Sequence, residues 1–131
     1  MRAKSVLCRQ INDDIGSVEL AEIDLPLPGP GEIRVRLKAC AVNFPDLLMI
    51  QGKYQFSPPL PFAPGTEAAG EVESVGTGIS EYAEGDSVIV SMRFGGFSEA
   101  IIVSENEIRK MPENMTYAQA CLLYTSDAAD E

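Results

Sequence analysis

The 131-residue sequence contains no histidine and no tryptophan. Its three cysteines, Cys8, Cys40 and Cys121, are widely spaced and form no Cys-x-x-Cys pair. Catalytic zinc normally takes three protein ligands from His, Cys and Asp/Glu, and structural zinc takes four from Cys and His, so this inventory predicts no zinc. An odd number of dispersed cysteines fits reduced thiols packed as small hydrophobes better than disulfides. Positive charge is also scarce. Ten Lys and Arg stand against twenty Asp and Glu, a formal net charge of −10, which would repel a nucleic-acid backbone. No apolar run approaches the roughly 18 residues that a membrane-spanning helix needs. Residues Met1 to Gln10 place Lys4 and Arg9 around a short apolar run without the h-region of a secretory signal, so a cytoplasmic protein is expected. A Gly-x-Gly-x-x-Gly turn between a strand and a helix, the usual dinucleotide fingerprint, is missing as well.

What is present reads as many short strands. Glu32-Ile33-Arg34-Val35-Arg36-Leu37-Lys38 alternates strictly, which puts Ile33, Val35 and Leu37 on a buried face and Arg34, Arg36 and Lys38 on a solvated one. Pro28-Gly29-Pro30-Gly31 before it is a turn. Further strands are expected over Ala3 to Leu7, Val18 to Ile23, Gly70 to Val75, Ser87 to Ser91 and Phe97 to Val103, with Gly76-Thr77-Gly78 as a hairpin turn. Two segments break the pattern. After Asn43-Phe44, Pro45 suits the first turn of a short helix through Asp46-Leu47-Leu48-Met49-Ile50, and Thr116 suits the N-cap of a helix starting at Tyr117. Short strands joined by Gly and Pro turns indicate a mainly β sandwich or barrel. Pro58-Pro59-Leu60-Pro61-Phe62-Ala63-Pro64-Gly65 suits a stiff, ordered loop packed on that body, since prolines fix φ and remove amide donors.

Several segments, in order, are similar to one family: Pro28-Gly29-Pro30-Gly31-Glu32-Ile33-Arg34-Val35, Asn43-Phe44-Pro45-Asp46, Gly52-Lys53-Tyr54, Pro64-Gly65-Thr66-Glu67-Ala68-Ala69-Gly70, Gly85-Asp86-Ser87-Val88 and Gly95-Gly96-Phe97-Ser98-Glu99. Together they resemble the amino-terminal domain of medium-chain dehydrogenases and reductases, in the zinc-independent quinone oxidoreductase branch. The resemblance covers residues 1–120 and implies a partly open, chaperonin-10-like (GroES-like) β-barrel with few short helices. In that family a nucleotide-binding domain follows, and it is absent from these 131 residues. The segment Cys121 to Glu131 departs from the family pattern. It reads either as a non-native tail translated from a sequencing adapter or as a frayed acidic helix.

The resemblance also implies chemistry. Where zinc-dependent relatives carry a cysteine and a histidine, this chain has Asn43 and Thr66. Asn43 and Tyr54 resemble the residues that line the nicotinamide end of the family's cleft, as catalytic and cofactor-binding candidates. Asp46 is a third catalytic candidate, although an aspartate near a helix start is already explained by the helix dipole. Glu67, in a small and apolar stretch, is expected to be partly buried and paired. Some relatives have a tyrosine where this chain has Leu48, which makes the pocket more apolar and weakens any transfer of their quinone specificity. The expected activity of the full-length parent, a homodimer, is NADPH-dependent hydride transfer to a small quinone or enone, with the present chain inactive alone. An enoyl-thioester reductase of the same superfamily and a non-enzymatic, ring-forming chaperonin-10-like module are the alternatives.

Overall fold

The computed structural model describes residues 2–12, 16, 18–55 and 57–122. In chain order the elements are β1 (Arg2–Leu7), β2 (Glu19–Asp24), β3 (Glu32–Cys40), α1 (Phe44–Gln51), β4 (Glu67–Val75), β5 (Ser87–Ser91), β6 (Ala100–Ser104), a 3-10 turn (Glu105–Glu107) and β7 (Ile108–Lys110). A helical segment occupies 117–122, starting after Thr116 as its capping residue type predicts. Strands β1 and β2 form an antiparallel pair, and a five-stranded antiparallel sheet runs β6-β3-β4-β5-β7. This sheet does not close on itself, so the mainly β, partly open architecture expected from the sequence is the one observed.

Alternation in β3 does the work that period-2 patterning predicts. Ile33 and Val35 are fully buried against Val72, Val88, Val90 and Val103, with Leu37 partly buried at the margin of the same cluster. On the opposite face Arg36 and Lys38 are exposed as expected, but Arg34 is not. The Arg34 side chain keeps only 12% exposure, and its guanidinium meets Glu73 of β4 at 2.8 Å while Arg36 takes the other carboxylate oxygen at 2.8 Å. One carboxylate thus holds two arginines two residues apart, and desolvating Arg34 is offset by a direct charge pair.

The Gly76-Thr77-Gly78 turn also differs from expectation. The Ile79 amide donates to the Gly76 carbonyl, so a turn is present, but residues 79–86 still intervene before β5. It is hydrogen-bonded sideways to the Pro28–Gly31 turn and the start of β3: the Gly31 amide donates to the Thr77 carbonyl (2.9 Å) and the Gly76 amide to the Glu32 carbonyl (2.8 Å). The β1–β2 pair is fastened to the larger body at separate points. Ser5 bridges Ser98, with the two hydroxyls 2.7 Å apart, and Cys8 bridges Phe62. The reading of Cys121 to Glu131 as a tail concerns residues of which 123–131 lie outside those described.

Candidate functional site

Helix α1 begins where Pro45 can occupy its first turn without losing an intrahelical hydrogen bond, and it ends at Gly52 in the left-handed conformation (φ 71°). Its start is fixed by Asp46. One carboxylate oxygen accepts the Asn43 amide at 2.8 Å, back across the first turn, and the other accepts the Gly65 amide at 3.0 Å. Asp46 is fully buried. Burial pushes its carboxyl above the ordinary range, and the two backbone donors act against that rise. This side chain therefore clamps α1 to the end of the proline loop and turns its oxygens to backbone.

The proline loop is ordered and packed, as its composition predicts. Phe62 and Pro64 are buried, the Phe62 and Cys8 backbones exchange hydrogen bonds at 2.7 and 3.1 Å, and Phe62 meets Phe94 edge to face. The Leu60–Pro61 peptide is cis. Residues 63–66 then run alongside 92–97, with the Gly95, Gly96, Phe97 and Met92 amides donating to the carbonyls of Ala63, Gly65, Pro64 and Thr66. The two segments approach so closely that a Cβ on Gly65 would lie 2.7 Å from the Gly96 Cα and the Phe97 nitrogen, and Gly65 has φ +112°. Only glycine fits there.

This scaffold presents Thr66 next to the N-terminus of α1. The Asn43 side-chain amide nitrogen donates to the Thr66 hydroxyl at 3.4 Å, a long hydrogen bond that brings these two positions together. Thr66 also lines a cleft of about 540 Å³ with Pro45, Met49, Tyr54, Gln55, Met92 and Arg93. Tyr54, 36% exposed, thus lies in this cleft, while Asn43 reaches it through Thr66. Val42 and Phe44, on either side of Asn43, are about 70% exposed. Glu67 is half-buried, as expected of it. Gln55, Met92 and Arg93 carried no sequence signal beyond their place after Tyr54 or at the end of β5. A second, larger groove of about 710 Å³ shares the Met92–Arg93 wall and is lined mostly by apolar side chains such as Leu7, Ile23, Phe62 and Ile101.

The arrangement is a polar-edged apolar cleft. Tyr54 and Thr66 supply hydroxyls and Gln55 an amide, which can orient a carbonyl, while Met49, Met92 and Pro45 supply apolar walls. The Cys40 thiol at the end of β3, which does not line this cleft, is pushed up to about 12, first by burial and then by the negative fields of Asp46, Cys121 and Glu67, so it stays protonated. Among the described residues no three His, Cys, Asp or Glu side chains gather in a way that could hold a metal, and no helix is long and apolar enough to cross a membrane.

Known proteins of this shape narrow the assignment. Residues 29–113 match the model of the alcohol dehydrogenase GroES-like domain. The chain is 45% identical over 98 residues to the synaptic vesicle membrane protein VAT-1 homolog of Rattus norvegicus, covering 75% of this chain and 24% of that protein. It is 37% identical over 124 residues to quinone oxidoreductase-like protein 2 of Mus musculus, covering 94% of this chain and 34% of the relative. A crystal structure of a quinone oxidoreductase from Pseudomonas syringae superposes with a TM-score of 0.84 at 30% identity, covering 92% of this chain and 37% of that one. The chain therefore spans about a quarter to a third of the length of the curated relatives it matches. On the fold, the motif order and these matches, the chain belongs to the alcohol dehydrogenase GroES-like domain family and resembles the amino-terminal part of medium-chain oxidoreductases of the quinone oxidoreductase type.

Proposed function

We propose that this chain is the substrate-side domain of an NADPH-dependent reductase of quinones or conjugated carbonyls. The observation that carries the reading is the Asn43–Thr66 hydrogen bond at the edge of the Tyr54 cleft. Polar groups stand where a carbonyl needs orienting, and the cleft is large enough for a small ring system. When bound, NADPH supplies the hydride. The Asn43 and Thr66 side chains fit a carboxamide, offering donor and acceptor at the cleft edge, and would hold the nicotinamide end of the cofactor. Tyr54 presents a flat apolar face and a hydroxyl to the acceptor, and the hydroxyl supports the negative charge that grows on the acceptor oxygen. Asp46 acts by position, since its two hydrogen bonds set the spacing between α1 and Thr66. The pyrophosphate of a dinucleotide normally sits on a glycine-rich turn and helix start. Without one, these 131 residues are proposed to bind NADPH no tighter than roughly millimolar and to be inactive alone.

The longer protein is proposed to be a cytoplasmic homodimer. An enoyl-thioester reductase is the neighbouring reading, and a thioester would then outperform quinones. The test is NADPH oxidation by the product of the intact gene against a panel of quinones, enones and enoyl thioesters. Oxidation with quinones or enones is expected, and Asn43→Ala and Tyr54→Phe should each lower kcat/KM by about tenfold or more. No oxidation with any acceptor would overturn the proposal.

A further inference from the structure

The Tyr54–Thr66 cleft does not end at its own rim. Met92 and Arg93 line both this cleft and the groove of about 710 Å³ beside it. Each space alone has the size of a small-molecule site. Their chemistry differs. The cleft carries the hydroxyls of Tyr54 and Thr66 and the amide of Gln55, whereas the groove is walled by apolar side chains such as Leu7, Ile23, Phe62, Phe94 and Ile101. Ser5 and Ser98 also line the groove, but their hydroxyls bond to each other at 2.7 Å. Phe62 and Phe94 meet edge to face with ring centroids 6.3 Å apart, which stiffens that wall. Met92, half-buried, stands between the two spaces. A Cβ on Gly95 would lie 4.0 Å from the Met92 sulfur and 3.9 Å from Ile101 Cγ2, so the thioether reaches to the groove side. An unbranched thioether changes rotamer readily and packs against aliphatic and aromatic surface alike.

A small acceptor seated at Tyr54 and Thr66 would leave the groove to water. From the shared wall we infer that cleft and groove are one bipartite site, with the carbonyl head of the acceptor in the cleft and an apolar tail passing Met92 into the groove. The substrate class is then a quinone or enone bearing an alkyl chain of several carbons. The tail is uncharged, because Glu32 and Glu107 line the groove and would repel an anionic end. This inference rests on the proposed function for the identity of the head group, but the preference for a tail is measured without cofactor or turnover.

The probes are the 4′-alkylacetophenones from methyl to butyl, which share one carbonyl head and do not alkylate thiols. Each is titrated into the isotope-labelled 131-residue chain and followed by amide chemical shifts. Burial of each further methylene should tighten binding about twofold or more, hence about eightfold or more from methyl to butyl. All four compounds should shift Tyr54 and Thr66, and the longer ones should add Ile23, Phe94 and Ile101. Ile23→Trp fills the groove from β2 without touching the cleft lining, so it should flatten the series to less than twofold and leave the methyl compound within twofold of its original affinity. A flat series in the unsubstituted chain, a dependence on length that survives Ile23→Trp, or long-chain shifts that miss the groove residues would each overturn the inference. The shift map needs no variant, so it decides the matter even where Ile23→Trp fails to fold. Binding of 4-(4-acetylphenyl)butanoate as tight as that of the butyl compound would overturn the uncharged tail. If the intact protein failed to oxidise NADPH while the dependence on length held, the proposed reaction would fall and the bipartite site would stand.

Discussion

Replacing Asp46 by alanine isolates the clamp between α1 and the proline loop. The substitution removes the acceptor of the buried Gly65 amide and that of the half-buried Asn43 amide. An unsatisfied buried amide costs about 1–3 kcal/mol, and a half-buried one that regains water about 0.5–1.5 kcal/mol. Removing a carboxylate that burial already disfavours gives part of this back. The net loss should be about 2–3 kcal/mol, roughly 10 °C in Tm for a chain of this size. Asp46→Asn keeps one acceptor and should lose about half as much. Urea denaturation at fixed m checks both. A loss below about 0.5 kcal/mol for the alanine variant would show that the two hydrogen bonds do not hold the helix start.

The same residue makes a pH prediction with a definite sign. Its folded-state pKa is raised above the ordinary 3.8. The stability it contributes is therefore complete below the unfolded value and is lost as pH rises through the folded one. The advantage of wild type over Asp46→Asn should shrink from acid toward neutral pH. A widening gap would mean that the two amide donors outweigh burial and would reverse the assignment of cause.

Two further outcomes follow from the local geometry. Gly65→Ala should cost more than about 3 kcal/mol or prevent folding, because its Cβ would meet Gly96 and Phe97 backbone at 2.7 Å; thermal denaturation within 1 °C of wild type would contradict the close crossing. Cys40, raised from 9.0 to about 12, has a thiolate fraction at pH 8 roughly a thousandfold smaller than an ordinary thiol, so its alkylation should be slow in the native chain and fast in guanidinium; equal rates by mass spectrometry would refute the burial argument.

Local periodicity was a good guide wherever a residue's fate depends on its near neighbours. The alternation of Ile33, Val35 and Leu37 named a core face, and Pro45 with Gly52 bracketed α1. The proline loop was legible as ordered because its apolar side chains needed cover. Strand β7 escaped because three residues, Ile108 to Lys110, show too little period to separate from a turn. Arg34 and Arg36 looked like solvated charges because Glu73, the carboxylate that gathers them, is some forty residues away on β4. In the site, the contact of Asn43 with Thr66 was suggested only by resemblance to a family, since nothing local links them. Asp46 was recognised as a helix-start residue, but its second partner, Gly65, was invisible for the same reason. Arg93 carried no pattern at all, and only the folded chain places it in the cleft wall.

The way β1 is fastened has a bearing on synthesis. Arg2 to Leu7 depend for their docking on partners that are synthesised much later than they are. Val6 donates to the Phe97 carbonyl, Glu99 donates to the Lys4 carbonyl, and Cys8 exchanges hydrogen bonds with Phe62. The interior strand β3 likewise waits for β6 before its second edge is covered, and β5 waits for β7. A nascent chain can form the β1–β2 hairpin early, but an isolated two-stranded hairpin is only marginally stable in water. Its apolar side stays uncovered on the ribosome until about residue 110 has cleared the exit tunnel. Growth from the amino terminus at about 5–20 residues per second leaves that surface open for several seconds. Uncovered apolar surface and unpaired strand edges favour aggregation during that interval, and a translational pause placed before β6 would lengthen it.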